Sequence, residues 1–309
     1  MTDKVKPMPS HHGIKQAVNS RVADPTIRLL LERGSCRIFT DKKIPAKVLE
    51  QVLEAGLRAP TGGNLQPYSI IRIENHATNA KLAKRCGQPF VGQASVNLLF
   101  CIDWRRLERW SKLSDAPFTA TSSFRHFWIS FQDTIISAQN ICTAADALGL
   151  GCCYIGTVLE FFPVLRKMFK LPQGVFPVVL LCLGYPKAKP VPRKKLPVKV
   201  MVHSERYRDL SDRELVKAFD EKYPGMKVSL TPERLKDMER VCRKTGGPAL
   251  VKRALARIQK QGHINPAQRY FGLHYRADYM PEGNDGYLKM MEKFGFHWFK
   301  KYVPFGKKA

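Results

Sequence analysis

Residues 31–45 read LERGSCRIFTDKKIP. Two arginines, Arg33 and Arg37, flank a serine and a cysteine, and no carboxylate follows until Asp41. Helical patterns lie on both sides. Upstream, Asp24-Pro25 reads as an N-cap followed by a first-turn proline. Ile27, Leu30 and Leu31 then form a short apolar stripe, and Gly34 stands where that helix would stop. Downstream, Pro45 opens a second helix whose Val48, Leu49, Val52, Leu53 and Leu57 recur at helical spacing. Two cations therefore sit in a connection between helices, and the question is what they hold.

Working outward, the second helix ends at Arg58-Ala59-Pro60 and a small polar loop, TGGN (61–64), follows. PYSIIRIE (67–74) reads as a strand, 77–86 as a polar helix, and SVNLLFCID (95–103) as a second strand. A long helix is predicted over about 124–148, with Ile129, Ile136, Ile141 and Ala145 among its apolar positions and Gly149 ending it. GLGCCYIG (149–156) reads as a loop, and a short helix is expected over 159–169. FPVVLLCLGY (176–185) is almost wholly apolar and is expected to be a central strand. PKAKPVPRKKLPVK (186–199) is Pro-rich and basic with no acidic residue, which suits an extended segment wrapping a surface. Beyond 203 the chain turns helical and charged. Its clearest element is an amphipathic helix over 249–260, with Val251, Ala254, Leu255 and Ile258 on one face. No internal repeat is visible. The simplest division is a polar tail (1–20), a core (21–200) and a basic helical extension (201–309).

The chain has 309 residues and 44% hydrophobic residues, enough to bury a full core. No run of 18 apolar residues suggests a membrane span, and the first 20 residues lack an apolar secretory region. Eight scattered cysteines form neither C-x-x-C nor zinc spacing, which points to free or buried thiols in a reducing cytoplasm. The formal net charge is +26. Residues 1–200 carry 29 Lys+Arg against 13 Asp+Glu, and residues 201–309 carry 23 against 13, so the positive field covers the whole chain. That suits small polyanions as well as nucleic acid.

The core motifs, taken in order, resemble those of the FMN-dependent nitroreductase family. RGSCRIFTDKKIP is similar to its opening Arg-x-Ser-x-Arg-x-Phe motif, and APTGGNLQPYSIIRI to its Ala-Pro-Ser-x-x-Asn-x-Gln-Pro loop and following strand. CGQPFVGQAS, DTIISAQNICTAADALGLGCCYIG, VFPVVLLCLGYP, KKLPVKVMVH and SERY complete the pattern. The subgroup most resembled holds the NADPH-preferring, oxygen-insensitive nitroreductases and related flavin reductases. One departure stands out: relatives place a second basic residue where this chain has Gly34.

The resemblance implies an α+β fold with a central mixed, mainly antiparallel sheet flanked by helices. It implies a homodimer with FMN sites at the interface and a helical C-terminal extension. Bound FMN would be reduced by NAD(P)H, with NADPH preferred, and would pass two electrons to a nitroaromatic or quinone in ping-pong order. By resemblance, Arg33 and Ser35 hold phosphate or ribityl oxygens, and Arg37 lies by the ring's pyrimidine edge, where a positive charge raises the flavin's potential. Thr61, Gly62, Gly63, Asn64 and Gln66 would present backbone and amide groups to the ring edge. Gln88 would contact the ring, and Tyr154, Ile155 and Gly156 would pass over one face. Arg193 and Lys195 would close on the phosphate, with Lys194 as the alternative register. The spacing of GLGCCYIG excludes a dinucleotide fingerprint. No metal set or catalytic side chain is required, and Glu160, His126 and His203 are not needed as acid or base.

Two alternatives remain. A flavin reductase would hand electrons to free FMN. A nucleic-acid-binding protein on a flavoprotein fold would need a basic face with interleaved aromatics, for which HWFKKY (297–302) is a faint candidate. Nucleic acid is the less favoured partner, and small-molecule acceptors the more favoured. Basic residues of the extension, among them Arg240, Arg243, Lys244, Arg253 and Arg257, are candidates for the NADPH 2′-phosphate, and the sequence does not choose among them.

Overall fold

The structure is a computed structural model, and residues 24–304 are described; the polar tail lies outside them. In chain order the helices and strands are α1 (Pro25–Glu32), α2 (Ala46–Leu57), β1 (Tyr68–Ile73), α3 (His76–Cys86), α4 (Phe90–Gln93), β2 (Val96–Asp103), α5 (Arg105–Leu113), α6 (Phe124–Ala147), β3 (Gly151–Ile155), α7 (Phe162–Phe169), β4 (Val175–Gly184), α8 (Val198–Met201), α9 (Asp212–Lys222), α10 (Pro232–Gln261), α11 (Pro266–Gln268) and α12 (Asn284–Lys293). They divide into two compact units, residues 24–193 with 288–304, and residues 194–287.

The first unit is built on a four-stranded sheet of order β1-β2-β4-β3. The sheet expected as mainly antiparallel is wholly antiparallel among the described residues. β2 and β4 are the inner strands, and every residue of both is buried, which is why their sequences are continuously apolar rather than alternating. β3 corrects one expectation. Gly151–Ile155 is not a loop but an edge strand paired with Leu180–Gly184. Its glycines disguise a run of small, apolar, β-compatible side chains.

α6 packs against all four strands and against α2. Asp24 caps α1 as expected, and Ser123 caps α6. The inner face of α6 carries Ala138, Ile141, Cys142 and Ala145, all fully buried. It also carries polar residues that satisfy themselves locally. Ser130 and Thr134 hydroxyls donate to carbonyls one turn back, and Ser137 donates to the Gly56 carbonyl of α2. Ile136, expected inside, is 39% exposed. Phe124, Trp128 and Phe131 form an exposed apolar face elsewhere around the same helix.

The tail of the chain rejoins this unit, so the unit is discontinuous in sequence, whereas the sequence division gave everything after 200 to the extension. Phe294 and Phe296 are fully buried against Phe176, and Phe294 also meets Phe162. Trp298 stacks on Phe127 at 5.2 Å. Backbone bonds Gly174 N–H to Phe294 O and His297 N–H to Thr121 O fix the segment. The aromatics of HWFKKY thus pack inward in part, Lys300 pairs with Glu292, and Tyr302 remains exposed.

The second unit is helical. α9 opens on a full capping box, Ser211 with Glu214. α10 is broken at Gly247 (φ 67°) and Pro248. Its second half presents Val251 and Ile258 to a small core with Met238, Cys242 and Ile264, as the amphipathic pattern predicts. All eight cysteines are free and buried.

Candidate functional site

α1 stops at Glu32, and Arg33 turns the chain into extended geometry. The next residues run along the edge of the sheet. The Cys36 N–H donates to the Cys152 carbonyl of β3 at 2.9 Å. On the other side, the Pro-rich strap lies antiparallel to them. Thr40 N–H donates to Tyr185 O, Lys187 N–H donates to Ile38 O, and Phe39 bridges Pro186. The motif is therefore clamped between β3 and the strap. Cys36 and Phe39 point inward and are buried, while Ser35 and Arg37 point out and are exposed.

Gly34 has a different reason from the one expected. Its φ is not in the left-handed region, so it is not a helix-stopping glycine. A Cβ there would lie 2.8 Å from the Val191 carbonyl oxygen and 3.0 Å from its carbon. The strap comes so close that only glycine fits. A basic side chain at this position has no room here.

Arg33 is not a free cation. Its Nε donates to Asp146 Oδ2 at 3.0 Å and its Nη2 to Cys152 Sγ at 3.2 Å. Its side chain is 25% exposed, against 12% for Asp146. Burial works against the guanidinium charge, but the Asp146 hydrogen bond and the neighbouring Cys152 outweigh it, and the Arg33 pKa is raised. For Asp146 burial is the larger effect, so its carboxyl is pushed up despite Arg33. The Cys152 thiol is drawn below its usual value by its hydrogen bond with Cys142, while burial pushes the Tyr154 hydroxyl up.

Gln88 and the residues after β3 meet directly. Gln88 Nε2 donates to Thr157 Oγ1 at 3.2 Å. Between Tyr154 and Thr157, Ile155 is buried and Gly156 is exposed. A Cβ on Gly156 would meet nothing within 4 Å, so its backbone faces open space. Arg33, Ser35, Arg37, Gln88, Tyr154, Ile155 and Gly156 are thus brought together around β3.

The loop 61–66 belongs elsewhere. The Gly62 N–H donates to both Asp133 carboxylate oxygens, at 3.2 and 3.1 Å. Gly63, Asn64 and Gln66 have φ of 60°, 54° and 49°. Two non-glycine residues in the left-handed region within three positions mark a strained loop. Asn64 is exposed, whereas Gln66 spends its Nε2 on the Leu57 carbonyl. Arg106 holds the loop's far end, its Nη2 donating to the Gln66 and Tyr68 carbonyls at 2.7 and 2.9 Å. Thr61 Oγ1 accepts from the Gln66 N–H. Asp133 and Asp146 are thirteen residues apart on α6, about 20 Å along the axis and about 140° around it. Asp133 lies near the middle of α6 and Asp146 at its C-terminal end, so the two halves hang from nearly opposite sides of one helix.

Arg193 is exposed at the end of the first unit, and Lys195 is exposed in the second. Among the described residues, Arg193 makes no hydrogen bond to the clamp. Sequence reasoning missed Asp133, Asp146, Arg106 and Cys152. The two aspartates left a signal, being carboxylates inside the apolar pattern of a long buried helix.

The nitroreductase family profile matches residues 30–185, about half of the chain. The chain belongs to the nitroreductase family. It is 34% identical over 198 residues to the oxygen-insensitive NADPH nitroreductase of Salmonella typhimurium, covering 64% of this chain and 80% of that one. To the FMN reductase [NAD(P)H] of Bacillus subtilis it is 31% identical, covering 63% and 80%. The solved structure of the Vibrio harveyi NADPH:FMN oxidoreductase complexed with NAD+ superposes with a TM-score of 0.60 at 26% identity, covering 77% of this chain and 98% of that one. These likenesses agree with the expected fold class and with an oxidoreductase. No described helix is long and apolar enough to cross a membrane.

Proposed function

We propose that this nitroreductase-family chain is an FMN-dependent NAD(P)H oxidoreductase. NADPH is the preferred donor, and the acceptors are nitroaromatics, quinones or related small molecules. The observation that carries the reading is the gathering of outward polar groups at one sheet edge. Ser35 and Arg37 flank Cys36, which is bonded to β3, Gln88 is joined to Thr157 just past that strand, and Gly156 opens its backbone beside Thr157. The set fits FMN: a cationic and hydroxyl end, an amide partner, and backbone free to approach a flat ring.

When bound, FMN supplies two-electron hydride chemistry. The chain's own residues position it. Exposed Arg37, without an ion pair among the described residues, supplies a fixed positive charge for the electron-rich form of the ring. Exposed Ser35 supplies a hydroxyl for the phosphate end, and exposed Arg193 is a further cation of the same unit.

The loop 61–66 completes the site from a second copy of the chain. Its anchor, Asp133, faces about 140° around α6 from Asp146, the partner of Arg33, which supports a contribution from a second copy. The exposed face of Phe124, Trp128 and Phe131 is the apolar surface such a copy would cover. The eight free thiols support a cytoplasmic setting.

The test is spectroscopic. The purified protein is expected to take up FMN, bleach with NADPH under anaerobic conditions and recover its yellow colour on adding a nitroaromatic. Protein that takes up no FMN sinks the reading. Sedimentation should give a dimer, and a monomer that still binds FMN fully would sink the shared-site part.

A further inference from the structure

Acidic residues are scarce in this chain, 26 against 52 basic ones. Two of them nevertheless stand at the 33–37 clamp. Asp146 takes the Nε of Arg33, and Glu32 takes the ammonium of Lys189 on the strap at 2.5 Å. The Cys152 sulfur takes the Arg33 Nη2. The side of the guanidinium fork formed by Nε and Nη2 is therefore spent inside the protein, and the Nη1 end is what remains for a ligand. At Gly34 the Val191 carbonyl excludes any third cation.

We propose that Asp146 is a positioning residue that orients Arg33 while offsetting its charge. The clamp then seats a phosphomonoester loosely, and flavin exchanges between protein and solution. The inference rests on the FMN reading above and concerns how firmly that site holds its ligand. Glu32 acts the same way on Lys189, more weakly because that pair is more exposed. A purely structural tie between the end of α6 and Arg33 would need a hydrogen-bond acceptor at 146 but no charge. That difference makes the two roles separable.

The experiment titrates flavin-free protein with FMN, following the quenching of flavin fluorescence at low and high salt. Asp146→Asn keeps an acceptor for Arg33 Nε and removes the charge. It should tighten FMN binding about fivefold at low salt, the scale of deleting one partly screened charge near an anion, and the gain should shrink as salt rises. Asp146→Ala, which loses the orientation as well, should bind less tightly than Asp146→Asn. Glu32→Gln should tighten binding about twofold and serves if the 146 variants fail to fold. Wild-type affinity in a folded Asp146→Asn, or in Glu32→Gln where the 146 variants do not fold, overturns the inference. So does a tightening that is independent of salt. If the wild type itself shows no quenching, the FMN reading fails and takes this inference with it; binding by the wild type with unchanged variants leaves that reading standing.

Discussion

The segment 33–37 and the loop 61–66 meet the same demand in opposite ways. Each must present polar groups to something outside the fold. The first is held from behind: a backbone bond to β3, a strap along its other side, and an Arg33 already occupied by Asp146 and Cys152. Its backbone is relaxed. The second keeps its side chains outward through three left-handed residues and is pinned at its two ends by Asp133 and Arg106. A clamped segment tolerates no added bulk but can carry charge near the interior. A strained loop accepts side chains freely, and its weak points are its anchors.

The largest effect should come from restoring a basic residue at the clamp. Gly34→Arg places a Cβ against backbone rather than against a movable side chain, so the strap must shift. A loss of about 3 kcal/mol is expected, the upper range for overpacking, seen as a thermal midpoint lower by several degrees. Asn64→Arg on the exposed loop meets no backbone and carries only the left-handed strain, so it should lose about 1 kcal/mol. If the two variants melt alike, the contrast between clamp and loop is wrong.

Next comes the loop's anchor. Arg106→Gln removes the donors to the Gln66 and Tyr68 carbonyls. We expect a loss of about 1–2 kcal/mol and faster limited proteolysis between 61 and 66, with cleavage near 33–37 unchanged. Equal susceptibility at both places would mean that the halves are not independently held.

This pair of variants also shows where the sequence was readable. The helices, the inner strands and the residues that face outward were legible because apolar spacing and turn residues are local signals. Arg33, Ser35 and Arg37 were found as a motif. What held them was not. Gly34 looked like a helix stop because glycine commonly serves there, and its neighbour Val191 is 157 residues away. Asp146 and Asp133 sat inside a helix pattern, where a carboxylate reads as a surface residue until the fold shows what faces it. β3 was hidden because glycine punctuates its start and its end. The return of Phe294 and Phe296 to the first unit was invisible for the same reason: nothing local says which core an aromatic pair will fill.

A smaller effect, informative in sign, concerns Asp133. Burial pushes its carboxyl above the usual value, more than the Gly62 N–H pulls it down. A raised carboxyl pKa means that the charged form is less favourable in the folded state than in the unfolded one. That cost is fully present above the folded value and disappears as pH falls through it toward about 3.9, the unfolded value. Asp133→Asn keeps an acceptor for Gly62 and removes the charge. It should melt above wild type at pH 7, with the gap closing on acidification to about pH 4. A gap that widens on acidification would show that the Asp133 charge stabilises the loop.

The smallest expected effect tests the strain itself. Asn64 sits at φ 54°, which glycine adopts freely and asparagine at modest cost. Asn64→Gly relieves that cost but adds freedom to the unfolded chain, worth about 0.4–1 kcal/mol in the other direction. The two nearly cancel, so the melting point should move by no more than about a degree or two. FMN affinity should fall further than stability, because the exposed amide is lost while the backbone shape is kept. Equal retention of both would show that the loop contributes its backbone alone, and the contrast with the clamp, where side chains carry the chemistry, would then be sharper than drawn here.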